Sequence, residues 1–133
     1  MNPIDAMGEG VTAKLIGLAL DAAVARHAAI AANIANVDTE GYRPLTARFD
    51  QLVEELRGRV TDRARDGTTA QLVQSMRQSL DDSPTVEDTT ASKVELDMQM
   101  ASLTKNLVLY QTLLAAQGKL MSMSQLVITE GKL

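Results

Sequence analysis

Residues 11–37 read VTAKLIGLALDAAVARHAAIAANIANV, an alanine- and leucine-rich run without proline. Its one weak point is Gly17, which costs about 1 kcal/mol against alanine inside a helix. The run predicts a single helix. Its seam positions, Ile16, Leu20, Ala23, His27, Ile30, Ile34 and Val37, alternate steps of four and three, the spacing by which one helix packs along another. Such a seam requires a partner helix.

The C-terminal third supplies one. Leu96, Met100, Leu103, Leu107, Tyr110, Leu114, Gln117, Met121, Ser124 and Ile128 repeat the same alternation, beside a parallel row of Leu109, Leu113, Ala116, Leu120, Met123 and Val127. The apolar face is therefore wider than one partner covers. A helix over residues 92–129 is about 55 Å long at 1.5 Å per residue, longer than a small compact domain is wide. Exposed apolar strips of this kind signal association.

Composition points the same way. The chain has 133 residues, 45% hydrophobic but only 2% aromatic, with no Trp and one Phe. Small and aliphatic side chains suit helix-on-helix packing better than a sheet. The fold class expected is all-α: two long terminal helices paired in a coiled-coil-like manner, with an irregular middle. The divisions are residues 1–45 (N-terminal assembly helix and turn), 46–90 (variable, loop-rich middle with short helical pieces) and 91–133 (C-terminal assembly helix). Within the middle, FDQLVEEL at 49–56 reads as a short helix capped by Asp50, and TAQLVQSMRQSL at 69–80 as another. DDSPTVEDTTASK at 81–93 reads as a loop because Pro84 and the Asp, Ser and Thr side chains favour turns.

Several function classes are disfavoured. The net charge of −4 and the interruption of RGRVTDRAR (57–65) by Asp62 argue against nucleic-acid binding, which needs clustered cations. With no cysteine, disulfides, thiolate metal sites and cysteine nucleophiles are excluded together. MNPIDAMGEG lacks the basic and apolar regions of a secretory signal, and Leu15–Ala32 is broken by Asp21, Arg26 and His27, short of a membrane span. The single histidine, His27, sits among alanines and has no catalytic partner; it reads as a packing or interface residue. Gly8 and Gly10 lack the Gly-Lys-Ser/Thr ending of a phosphate loop, and the methionines at helical spacing read as adaptable packing rather than a soft-metal site. No enzyme, metal or cofactor is expected, and no lipid anchor.

The most specific stretch is AANIANVDTEGYRP, residues 31–44. Asn33 and Asn36 share one helix face. Asn36 stands where the helix should end and tolerates a left-handed backbone, while Asp38 and Thr39 fold onto the local backbone. Gly41 supplies a positive φ, and Pro44 drives Arg43 into an extended conformation. Tyr42 offers a flat body with a polar tip for clasping the helix end or a neighbouring subunit.

This stretch resembles the N-terminal signature of the bacterial flagellar rod and hook family, Asn-x-Ala-Asn-x-x-Thr-Pro-Gly-Tyr. Asn33, Ala35, Asn36, Thr39, Gly41 and Tyr42 match it, and Glu40 departs where the family has proline. The C-terminal stretch resembles the last helix of the proximal-rod members at Val94, Leu96, Met98, Asn106, Tyr110 and Gln111. DTTASK replaces their Asp-Gly-Asn loop, and the likeness covers about half the chain. The resemblance implies a structural subunit of the basal-body rod, the drive shaft crossing the periplasm, polymerised helically through its terminal helices. Implied partners are copies of itself, other rod proteins, the inner-membrane ring adaptor and the flagellar type III export apparatus, which would pass the chain unfolded and without cleavage. Termini that order only on assembly are implied as well. The residues expected at the assembly interface and turn are Asn33, Ile34, Asn36, Thr39, Gly41, Tyr42, Leu96, Met100, Leu103, Leu107, Tyr110, Leu114 and Met121. The alternative from another class is a small cytoplasmic helical adaptor or export chaperone, which would form a stable dimer by itself.

Overall fold

The computed structural model describes residues 10–63 and 69–131, and side-chain surroundings for residues 10–57 and 71–131. In chain order the elements are α1 (Val11–Ala35), β1 (Leu45–Ala47), α2 (Arg48–Arg63), α3 (Thr69–Asp82), β2 (Thr85–Glu87) and α4 (Leu96–Gly131). The fold is all-α with a small two-stranded clasp. At 1.5 Å per residue, α4 is about 54 Å long and α1 about 38 Å.

The two terminal helices run antiparallel as a pair. Asn33 near the end of α1 meets Gln99 near the start of α4, Arg26 meets Asn106, and Ala13, Lys14 and Gly17 face Gln117 through Ile128. Alanines at positions 22, 23, 25 and 29 are buried on α1. They leave room for close neighbours on more than one side of that helix.

The middle is irregular, built of two short helices and a two-stranded clasp. Both short helices exist, and α2 extends beyond the 49–56 piece to Arg63. Val73, Met76 and Leu80 of α3, three and four residues apart, form a buried apolar cluster with Leu18 of α1. Phe49, Leu52, Val53 and Leu56 of α2 pack against that cluster. Much of the fully buried apolar material is thus α1 against the middle, and the only fully buried side chain on α4 is Asn106 among the described residues. The stretch read as a loop at 81–93 contains β2, which pairs antiparallel with β1 in the register Leu45↔Glu87, Thr46↔Val86, Ala47↔Thr85. Two further bonds frame it, Asp88 N donating to Pro44 O at 2.8 Å and Arg48 N to Pro84 O at 2.9 Å. DTTASK then begins with a turn in which the Asp88 carboxylate accepts from Thr90 N (2.9 Å) and Thr90 Oγ1 (2.6 Å).

By length and composition α1 is apolar enough to cross a membrane, contrary to the sequence reading. Its packing assigns it instead to a protein core. Leu18, Ala22 and Ala23 are each 1% exposed, and mid-helix Arg26 is committed to an ion pair with α2. The basic run at 57–65 lies largely outside the described side chains; Arg57 itself pairs with Glu54 at 3.4 Å. The N-terminal residues read above for a leader, and Gly8, also lie outside the described residues; Gly10 is the extended N-cap of α1.

Candidate assembly site

The turn after α1 is built on one amide. Asn33 is 2% exposed, yet every polar atom of its side chain is used. Its Nδ2 donates to Leu45 O at 2.9 Å and to Gln99 Oε1 at 3.2 Å. Its Oδ1 accepts from Leu45 N at 2.8 Å and from Tyr42 Oη at 2.9 Å. The carboxamide thus pairs with Leu45 as a strand neighbour does, pinning β1 to the helix it has just left. Tyr42 closes the loop from the other side, and burial lifts its phenol above the ordinary pKa. The clasp expected of Tyr42 falls within its own chain, on Asn33.

Asn36 ends the helix through a bond from its amide to the backbone, as expected, and not through a left-handed conformation. Its backbone stays at φ −112°, ψ 19°, and Nδ2 donates to Ala32 O at 2.9 Å. Thr39 Oγ1 donates to Asn36 Oδ1 at 3.1 Å. No hydrogen bond of Asp38 is seen among the described residues, so only Thr39 folds back as expected. A second turn follows, closed by Tyr42 N donating to Thr39 O at 3.2 Å. Gly41 at its third position has φ 77° and no described non-glycine residue has a positive φ, which makes this a type II turn. Glu40 occupies the second position, where that geometry favours proline. Glu40→Pro is therefore expected to stabilise the chain by about 0.5–1 kcal/mol by restricting the unfolded state. A lowered melting temperature for this variant would mean that position 40 does not take the proline conformation.

A second polar knot ties three helices. Arg26 of α1 donates to both oxygens of Asp50 on α2, from Nε at 2.8 Å and Nη2 at 2.6 Å, and from Nη1 to Asn106 Oδ1 on α4 at 2.8 Å. Asn106 Nδ2 donates in turn to Ala23 O at 2.8 Å. Asp50 is thus an ion-pair partner in the first turn of α2, not its cap, and its hydrogen bond raises the Arg26 pKa above the ordinary value against the opposing effect of burial. With side chains 22% and 40% exposed, the pair is partly screened. Arg26→Ala is expected to cost about 2 kcal/mol, because it also leaves buried Asn106 Oδ1 without a donor, and Asp50→Asn about 1 kcal/mol. Urea unfolding measures both; equal small losses would deny the link to α4.

The knot sets which face of α4 turns inward. The residues facing α1 or partly covered are Gln99, Leu103, Asn106, Tyr110, Leu113, Gln117, Leu120, Ser124, Val127 and Ile128, again largely in steps of four and three. Of the expected seam, Leu103, Tyr110, Gln117, Ser124 and Ile128 lie on this face. The other column is displaced by one residue: Asn106, Leu113 and Leu120 point inward in place of Leu107, Leu114 and Met121. The physical reason is the amide of Asn106, which reaches the α1 backbone at Ala23. Leu96, Met100, Leu107, Leu114 and Met121 are 43–66% exposed. They flank the contact with α1 at roughly 75° around the helix axis, with Leu109, Ala116 and Met123 on the opposite flank. Ile34 is half-buried near the turn, and exposed His27 lines a cleft with Val24, Leu107 and Tyr110.

Along α4 several hydroxyl side chains turn back onto their own helix. Thr104, Thr112, Ser122, Ser124 and Thr129 each donate to the carbonyl four residues earlier, at 2.8–3.3 Å. Their hydroxyls are satisfied inside the helix, so covering them costs little desolvation. No acidic residue occurs between Asp97 and Glu130. Among the described residues no group of three His, Cys, Asp or Glu side chains could hold a metal ion.

Fold and surface together define a class: a small helical chain with an internally locked turn, whose longest helix keeps apolar side chains on both flanks. Residues 18–43 match the family described as flagella basal body rod protein, which places the matched segment over most of α1 and the turn through Arg43. No curated protein and no solved structure gives a significant match. The matched segment holds Arg26 and Asn33, the centres of the two knots, together with Asn36 and Tyr42; α4 lies outside it.

Proposed function

We propose that this chain is a structural, non-catalytic subunit of the bacterial flagellar basal-body rod, of the proximal type, polymerising helically so that neighbours cover the flanks of α4. The observation that carries the reading is the coincidence of two independent features. The family likeness falls on the Asn33-centred turn, and the helix that this turn positions carries an apolar surface its own chain leaves uncovered. A heterologous, non-closing contact between copies, or with other rod proteins, buries that surface and builds a shaft that carries torque. Of the two terminal helices, α4 is the one whose order depends most on neighbours, since its only fully buried side chain is Asn106 among the described residues. Delivery through the flagellar export apparatus into the periplasm, and docking on the inner-membrane ring, follow from the same reading.

Deleting the gene tests it. Rod assembly and motility are expected to stop while the export machine stays in place; motile deletion cells would overturn the proposal. A cooperative, stable helical homodimer of the isolated chain at micromolar concentration would favour the adaptor alternative.

A further inference from the structure

We infer that α4 is two segments joined at Gly118: residues 96–117 stay clamped to α1, while the arm beyond, residues 119–131, swings as a unit. The motion is a property of the isolated chain and holds whether or not the chain is a rod subunit. All the polar ties between α4 and other elements lie toward its start among the described residues. Gln99 accepts from Asn33, and Asn106 accepts from Arg26 and donates to the Ala23 carbonyl. From residue 107 to 131 no hydrogen bond or ion pair reaches another element among the described residues; the hydroxyls there bond only to their own helix. No side chain of the arm is fully buried among the described residues. Between the arm and α1 lies a groove of about 780 Å³, with Leu120, Ser124 and Ile128 on the arm side and the small residues Ala13 and Gly17 on the other. The arm therefore has room to move, and its movement leaves both knots intact.

The chemistry of the joint is local. Gly118 is the one glycine in the interior of α4, and a β-carbon there would meet nothing within 4 Å. Packing within the chain thus does not call for glycine, which is the poorest helix former after proline. The Gly118 carbonyl also accepts from Ser122 Oγ at 3.0 Å, in competition with the helix's own amide, and one turn on Ser124 Oγ does the same to Leu120 O at 3.1 Å. Bonds of this kind loosen and bend a helix, and glycine together with serine is a recurrent place for a kink. Thr104 and Thr112 make equivalent bonds in the clamped segment, but no glycine stands beside them. A hinge at Gly118 lets one chain present the apolar side chains of its arm at more than one angle while the turn and the core stay fixed.

Because the chain has no cysteine, pairs of nitroxide labels test this on the full-length protein. A label at Val24→Cys, on the clamped part of α1, is combined either with one at Gln125→Cys on the arm or with one at Glu95→Cys beside the clamp; all three positions are exposed. By electron spin resonance, the spread of distances between positions 24 and 125 is expected to be at least about twice that between 24 and 95. Adding Gly118→Ala should bring the two spreads together, because the new methyl group meets open space and only the helix at the joint is stiffened. Cα chemical shifts over residues 119–125 distinguish a swinging arm from a frayed end, and are expected to be helical with and without Gly118→Ala. Equal spreads in the parent chain, a spread that Gly118→Ala leaves unchanged, or coil shifts over 119–125 would each overturn the hinge.

Discussion

Leu107→Glu combined with Leu114→Glu is expected to abolish incorporation into rods while changing the stability of the isolated chain by less than about 0.5 kcal/mol. Both side chains sit on the uncovered flank of α4, 47% and 43% exposed, so their replacement removes little packing within the chain. Glutamate and leucine have nearly equal helix propensity. Inside an assembly the balance reverses. Each copy would bring two unpaired carboxylates into a dry contact, at a cost of several kcal/mol per ion. Motility in soft agar and electron microscopy of basal bodies read the first effect, and urea unfolding of the purified chain reads the second. Normal motility with the double variant would show that this flank faces solvent in the rod. A fully conservative pair, Leu107→Met with Leu114→Met, keeps area and volume and should assemble.

Asn33→Ala is expected to cost about 3 kcal/mol, the largest single-residue loss in the chain. The side chain makes four hydrogen bonds at 2.8–3.2 Å while 2% exposed. Its removal leaves the Leu45 amide and carbonyl unpaired against the helix, each carrying a desolvation penalty of about 1–3 kcal/mol when buried. Water entering the vacated space recovers part of that. Asn33→Asp is a sharper probe, because it keeps the shape and both acceptor bonds but turns a carboxylate oxygen toward Leu45 O and Gln99 Oε1. It too should destabilise. Asn36→Ala, by contrast, removes one bond to a helix-end carbonyl and one from Thr39 at an exposed position, and is expected to cost about 1 kcal/mol. If thermal unfolding places all three variants within 0.5 kcal/mol of the parent, the turn is not held by Asn33.

Helix periodicity carried the architecture well, because α1 and α4 are long and their four–three spacing survives any local error. The inward face of α4 was harder. Bulk apolar residues at 107, 114 and 121 outweighed a single asparagine at 106 on paper, whereas in the fold the Asn106 amide finds a carbonyl and a guanidinium and so belongs inside. The signal was present in Arg26, a cation in the middle of an alanine-rich run, which needs partners from elsewhere. In the middle, both short helices were legible, but the core they close was not. Val73, Met76 and Leu80 are few, but at steps of three and four on one side of α3 they suffice to close a core around Leu18. The Pro84 stretch hid a three-residue strand, because β2 is specified by its partner across the clasp and not by its own propensity.

On the proposed rod reading, the flank of α4 is solvent-exposed in the free chain and becomes buried on assembly. Maleimide labelling of a Leu114→Cys chain, compared between purified protein and isolated basal bodies, tests this directly. Labelling rates at least about a hundredfold slower in basal bodies are predicted, as expected for a cysteine enclosed in a packed contact. Equal rates in the two states, or basal bodies that do not contain the chain, would contradict it.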